Sequence, residues 1–343
     1  MSNAGGNGLA ASGLAGSAAP VTRRVRAYFA AVNRGAGQPT MFDPAGMAAF
    51  DVNVPPGPWV DLGWCAGFTR KSGTKIEALV AGAPGIAVSQ VRTEVEAVVS
   101  LEFESWGKLQ MALTAGAQQM NVLQVQPGAA ANGSGGAAIA AVGLTAGSAA
   151  TTATALDIGV AAAGGSAVGD VVAVDVDYAG QLGYVGSGVS GGYVKNGAAI
   201  RNDADYVRRV TLNVARVTAI TGGVLTLGSA LVAGVPAAGM KMSTVAGFCD
   251  REGGSYFQEW SAVFVVDGVQ GDRVVFHYPR LQTMHGAAEK TEGLVGVQAK
   301  GLESGLGRMR LMGSFRALPV RDTNDGEMVV CFRSYLPGAM RAI

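Results

Sequence analysis

The chain has 343 residues, a formal net charge of +1 and 15% charged residues, against roughly 25% in ordinary soluble domains. This balance excludes a nucleic-acid-binding surface built on net positive charge. With 52 glycines and 49% hydrophobic residues, the surface is too poor in charge to suit a lone monomer. The composition points to a chain covered by copies of itself or by partners.

The first stretch, MSNAGGNGLAASGLAGSAAP, lacks the basic start and apolar centre of a signal peptide and reads as a flexible arm, 1–24. After it, Val25, Ala27, Phe29 and Ala31 alternate with Arg24, Arg26 and Tyr28, which predicts a first strand. Residues 38–64 hold five prolines and several glycines, which predicts a long loop of the kind used for contact. A strand follows near KIEALVAGAP. Next, Val91, Thr93, Val95, Ala97, Val99, Leu101 and Phe103 alternate with a set containing Glu94, Glu96, Glu102 and Glu104. A period of two is that of a strand with one buried and one wet face. The period then changes: Trp106, Leu109 and Leu113 recur at helical spacing, with Ser105 placed to cap a short helix and Gly116 to end it.

Pro127–Ala138 is a Gly/Ala-rich linker by composition. Beyond it, AVGLTAGSAATTATALDI, GDVVAVDVDYAG and RRVTLNVARVTAITGGVLTLGSAL read as short strands, with Thr221-Gly222-Gly223 as a tight turn. The last hundred residues return to long strands. EWSAVFVVDGVQGDRVVFHYPRLQ predicts one hairpin, and GRMRLMGSFRALPVRDTNDGEMVVCFRSYLP another with Asp325-Gly326 in its turn. The organisation expected is one discontinuous β domain, 25–127 and 246–343, carrying an inserted β subdomain, 128–245. The fold class is mainly β.

Chemical motifs are sparse. Cys65, Cys249 and Cys331 are far apart and form no CxxC pair, so buried small hydrophobes are the expectation, with no metal site and no cofactor. Gly186–Gly192, GSGVSGG, matches both a nucleophile elbow around Ser190 and a dinucleotide-binding glycine pattern. Neither has the strand–helix context its chemistry needs, and a loop is expected. Ser190, Asp250 and His277 fall in the order of a hydrolase triad, yet no spacing demands it, and His277 and His285 are expected to be structural. Asn132-Gly133-Ser134 is a glycosylation sequon, with meaning only in a secreted eukaryotic protein. Arg308, Arg310 and Arg316 share one strand face and are expected either to meet phosphate or to pair with carboxylates on a neighbouring strand.

VRAYFAAVNRGAGQPTMFD, EVEAVVSLEFESWGKLQMALTAG, VFVVDGVQGDRVVFHYPRLQ and LMGSFRALPVRDTNDGEMVVCFR together resemble the major tail tube proteins of tailed bacteriophages. The resemblance covers the discontinuous β domain; the insertion departs from the minimal pattern. It implies two packed β-sheets with one flanking helix and no enzyme activity. Six copies would form a ring, and rings would stack into a hollow virion tail tube through which double-stranded DNA passes without specific binding. Tape-measure protein and tail terminator are the implied partners, and host cytoplasm the site of assembly, with no membrane. Ring stacking would engage Arg23, Arg24, Phe42, Trp59 and Trp64.

On that reading Glu94, Glu96, Glu102 and Glu104 are expected to give an acidic lumen. A cationic lining would hold DNA by counterion release, and an anionic one would let it slide. Glutamates two apart on a strand lie about 7 Å apart, and repel by only ~0.6 kcal/mol in water. The competing expectation pairs them with the Arg308/Arg310/Arg316 face. The alternative function is a virion or cell-surface β-sandwich binding or decoration protein.

Overall fold

The computed structural model describes residues 22–32, 39–124, 139–175, 181–182, 192–195, 212–252, 258–269, 271–284, 288–293 and 307–338. The N-terminal arm up to residue 21, the 127–138 linker with its sequon, Ser190 and His285 lie outside these residues. The molecule is mainly β. In chain order it runs β1 (Thr22–Ala31), a 3-10 turn (Pro44–Ala49), β2 (Val60–Ala81), β3 (Ile86–Phe103), α1 (Lys108–Ala115) and β4 (Gln118–Leu123). Then come β5 (Val142–Gly143), β6 (Ala155–Asp157), α2 (Val160–Ala163), β7 (Val171–Asp175), β8 (Gln181–Leu182), β9 (Gly192–Lys195), β10 (Val214–Thr221), β11 (Val224–Leu227) and β12 (Lys241–Arg251). The chain ends with β13 (Trp260–Gly268), β14 (Arg273–Thr283), β15 (Ala288–Gly293), β16 (Gly307–Ala317), β17 (Val320–Arg321), β18 (Met328–Val329) and β19 (Phe332–Leu336).

The first sheet has the order β15-β16-β3-β2-β1-β13-β14-β19. Its last long strand serves two neighbours: residues 273–277 of β14 pair with β19, and Leu281–Thr283 pair with β16. Six strands, β16, β3, β2, β1, β13 and β14, therefore form a closed circuit. Its interior is the alternation seen in the sequence: Phe29, Val99, Leu101, Phe103, Phe264, Tyr278, Leu281, Leu311 and Phe315 are buried together. Leu109 and Leu113 of α1 join the same core. Each large apolar side chain buried this way contributes roughly 1.5–3 kcal/mol.

The long proline-rich segment has a role inside the chain. Phe42, Met47, Phe50 and Trp59 pack over Tyr28, Ala30, Val263, Val265 and Val275, the other face of β1, β13 and β14. Asp43 caps the 3-10 turn by accepting from Ala45 N at 2.8 Å, and the Tyr28 hydroxyl donates to Val52 O at 2.8 Å. Strand β13 is thus buried on both faces, in keeping with the continuous apolar run Ala262–Val266. The loop ends earlier than its composition suggests, since β2 begins at Val60.

The second sheet has the order β6-β11-β10-β7-β12-β4-β9-β8. Leu156, Val172, Val174, Val217, Leu225 and Met242 form its separate core. The Gly222-Gly223 turn joins β10 to β11 as expected, with φ of 58° and 91°. The domain limits at 127 and 246 cut through this sheet: β4 and β12, at its two sequence ends, pair with each other from Leu123↔Val245 to Gln118↔Arg251.

Two local expectations change. The helix starts at Lys108, after Gly107, and Ser105 does not cap it; the Ser105 hydroxyl donates to Leu62 O at 2.9 Å. Gly116 does close it, at φ 65°. The Asp325-Gly326 turn joins only the short β17–β18 hairpin; β16 pairs with β3 and β15, and β19 with β14.

Candidate assembly surface

Beyond Arg70 and before Ala97, β2 and β3 leave the closed circuit and run on as a two-stranded ribbon. Their pairing continues from Lys71↔Val98 to Ala81↔Ile86. The neighbours stop short: β1 meets β2 only up to Cys65, and β16 meets β3 only from Ala97 onward. At 3.3 Å per residue the ribbon projects by roughly 35 Å. Every residue from Lys71 to Glu96 is exposed. Among them Ile76, Leu79, Val80, Ile86, Val88, Val91 and Val95 are large aliphatics with 43% to 67% of their surface accessible. Two outer edges carry unpaired backbone donors and acceptors among the described residues, a template for another strand. An isolated two-stranded ribbon is marginal in water.

The four glutamates sit on one face of β3, and the register places Lys71, Lys75, Arg310 and Arg316 on that same face. Arg310 Nη1 donates to Glu102 Oε1 at 2.5 Å, with both side chains about three-quarters buried. Arg316 Nη2 donates to Glu96 Oε1 at 2.9 Å, half-exposed. Glu94 is exposed with Lys75 as its cross-strand partner. Lys75 Nζ lies 3.4 Å from Glu77 Oε1. Glu102 and Glu96 thus follow the competing expectation, pairing with Arg310 and Arg316, and the face is mixed in sign. The sign is mixed because β2 and β16, the flanking strands, bring Lys71, Lys75, Arg310 and Arg316 to the glutamate face of β3, with Glu77 of β2 beside Lys75.

The proposed stacking residues separate. Phe42 and Trp59 are buried in this chain's own core, each under a tenth exposed. Their side chains are spent inside this chain, because the proline-rich segment that carries them folds back on β1 and β13. Trp64 is partly exposed, with the guanidinium carbons of Arg24 and Arg26 5.6 and 5.4 Å from its ring. Arg26 is fixed in turn by both carboxylate oxygens of Asp61 and by Asn53 Oδ1, and the Asp61 bond raises its pKa. Arg23 lies in β1, so the strand begins inside the segment expected to be arm.

His277 is a structural histidine. Its Nε2 lies 3.3 Å from the Ser261 hydroxyl, and that hydroxyl donates to Thr40 O at 2.5 Å. Phe332 stacks on the ring, with Phe42 and Trp59 edge-on. Nδ1 has no hydrogen-bond partner, so no carboxylate orients it as a triad would require. Burial lowers its pKa to about 4. Asp250 lies in the other sheet. Cys65, Cys249 and Cys331 are free thiols, and burial pushes Cys65 up to about 12, which leaves it inert. Among the described residues no group of three or more His, Cys, Asp or Glu is placed to hold a metal, and no helix is long and apolar enough to cross a membrane.

Two features escape a reading of the sequence. One is the ribbon's lack of a partner, since alternation reports a strand but not its neighbours. The other is Lys108, which opens the helix yet is only 7% exposed. Comparison with protein-family models gives no matching family, and comparison with curated proteins gives no matching relative.

Proposed function

We propose that this chain is the structural subunit of a phage-type tail tube. Six copies join into a ring, and rings stack into a hollow conduit for double-stranded DNA in the virion tail. Tape-measure protein and tail terminator are its expected partners. One observation carries the reading: an exposed, aliphatic-rich ribbon with two unpaired edges, on a chain poor in charge. Such a ribbon is completed most simply by the same ribbon of the next copy, edge to edge. The closed circuit beside it needs no neighbour, so joining falls to Lys71–Glu96 and not to the barrel strands. A ring-lining ribbon of this kind presents a mixed, nearly neutral face. With Lys75 of the ribbon and Arg310 and Arg316 beside it engaged by carboxylates, it gives phosphates little uncompensated positive charge to bind and releases few counterions.

The test is negative-stain microscopy with sedimentation of the purified full chain. Six-fold rings or tubes are expected, and the double variant Ile86→Lys, Val88→Lys should leave monomers of native circular dichroism. Discrete wild-type monomers at every concentration, also after seeding with pre-formed tails, would overturn the proposal and favour a decoration protein.

A further inference from the structure

Lys108 and Asn121 form a buried polar contact outside the ribbon. Lys108 is the first residue of α1, and its Nζ donates to Asn121 Oδ1 on β4. Asn121 is 1% exposed and Lys108 7%. Neither group is otherwise satisfied: Asn121 Nδ2 has no hydrogen-bond partner, and no carboxylate among the described residues pairs with the lysine. Phe248, the Cα partner of Asn121 on β12, packs at a tilt against Trp106 two residues before Lys108, with ring centroids 5.5 Å apart.

A buried ammonium without a counter-ion is costly, and a helix N-terminus adds to that cost. Burial lowers the pKa of Lys108 to about 7, so a large share of the amine is neutral and nucleophilic near neutral pH, and nearly all of it at about pH 9. Oδ1 is bonded to Cγ, so the hydrogen bond holds the amine beside the carboxamide whose carbon is the electrophile. On the Asn121 face, β12 carries one carboxyl group, Asp250, whose pKa is raised by burial. This places a weak acid along the same strand.

We propose that Lys108 and Asn121 form an intramolecular isopeptide bond. Nζ adds to Cγ of Asn121, the Cγ–Nδ2 bond breaks, and the proton lost by Nζ leaves with Nδ2 as ammonia. The product is a secondary amide, and nothing is oxidised or reduced. The reaction removes the latent buried charge and the unpartnered amide nitrogen together. It also ties α1 covalently to β4, where the second sheet begins.

Intact-mass spectrometry and tryptic digestion of the full chain, incubated at about pH 9, test it. The expected mass is the sequence mass less one ammonia, with trypsin failing to cut after Lys108. Loss of ammonia from an Asn-Gly succinimide would leave that cleavage intact. Lys108→Met and Asn121→Ala should each restore the full mass. If either variant is insoluble, the wild-type digest decides alone. Full sequence mass with normal cleavage after Lys108 overturns the proposal, as does a deficit that persists in Lys108→Met.

Discussion

His277 shows how one buried side chain makes stability depend on pH. Its ring is neutral in the fold, with a pKa of about 4, against roughly 6.5 in the unfolded chain. Between these values the unfolded state binds more protons, so stability rises with pH across that window. Acidification from neutral to pH 4 should cost about 3 kcal/mol at this site. Urea titrations at several pH values should show the loss, and His277→Phe should flatten it. The glutamate pairs make a second contrast. Glu102→Gln weakens a largely buried charged hydrogen bond and should cost about 1–2 kcal/mol. Glu96→Gln loosens a half-exposed pair and should stay within about 0.5 kcal/mol. Denaturation midpoints of the two variants, measured side by side, check this ordering.

At the scale of elements, tight turns and plug helices give the sharpest expectations. Gly223 sits at φ 91°, and a Cβ there would lie 2.6 Å from backbone atoms of Gly159 and Val160. Gly223→Ala should therefore destabilise the second sheet by about 2 kcal/mol or more, seen as an early unfolding step in hydrogen exchange confined to β10 and β11. Leu113 is fully buried where α1 meets the barrel core. Leu113→Ala should cost about 2–5 kcal/mol in chemical denaturation. Alternation made β3 legible in the sequence, the Gly-Gly pair made the β10–β11 turn legible, and the glycine-containing loop after Val266 made the β13–β14 hairpin legible. Long-range pairing was not legible. Asp325-Gly326 signals a turn correctly, yet the turn is local, and nothing near it says that β16 and β19 seek other strands. Phe42 and Trp59 look like exposed loop aromatics because much of the sheet face they cover, Val263, Val265 and Val275, lies more than two hundred residues away. Lys108 reads as a solvated helix start, since its burial comes entirely from tertiary packing.

For the whole molecule, the two cores differ in what the chain supplies. The barrel closes on its own strands and the second sheet fills its own interior, while the ribbon pairs with no further strand among the described residues. The two sequence ends of the second sheet lie side by side: Leu123 is the Cα partner of Val245, and Gln124 N donates to Thr244 O at 2.9 Å. Excision of 125–243 and closure with a two-residue turn should therefore leave β4 and β12 as a plain hairpin beneath α1. The same junction is a natural graft point, where a foreign cargo module could be spliced in and displayed once per subunit without lengthening any strand of the barrel.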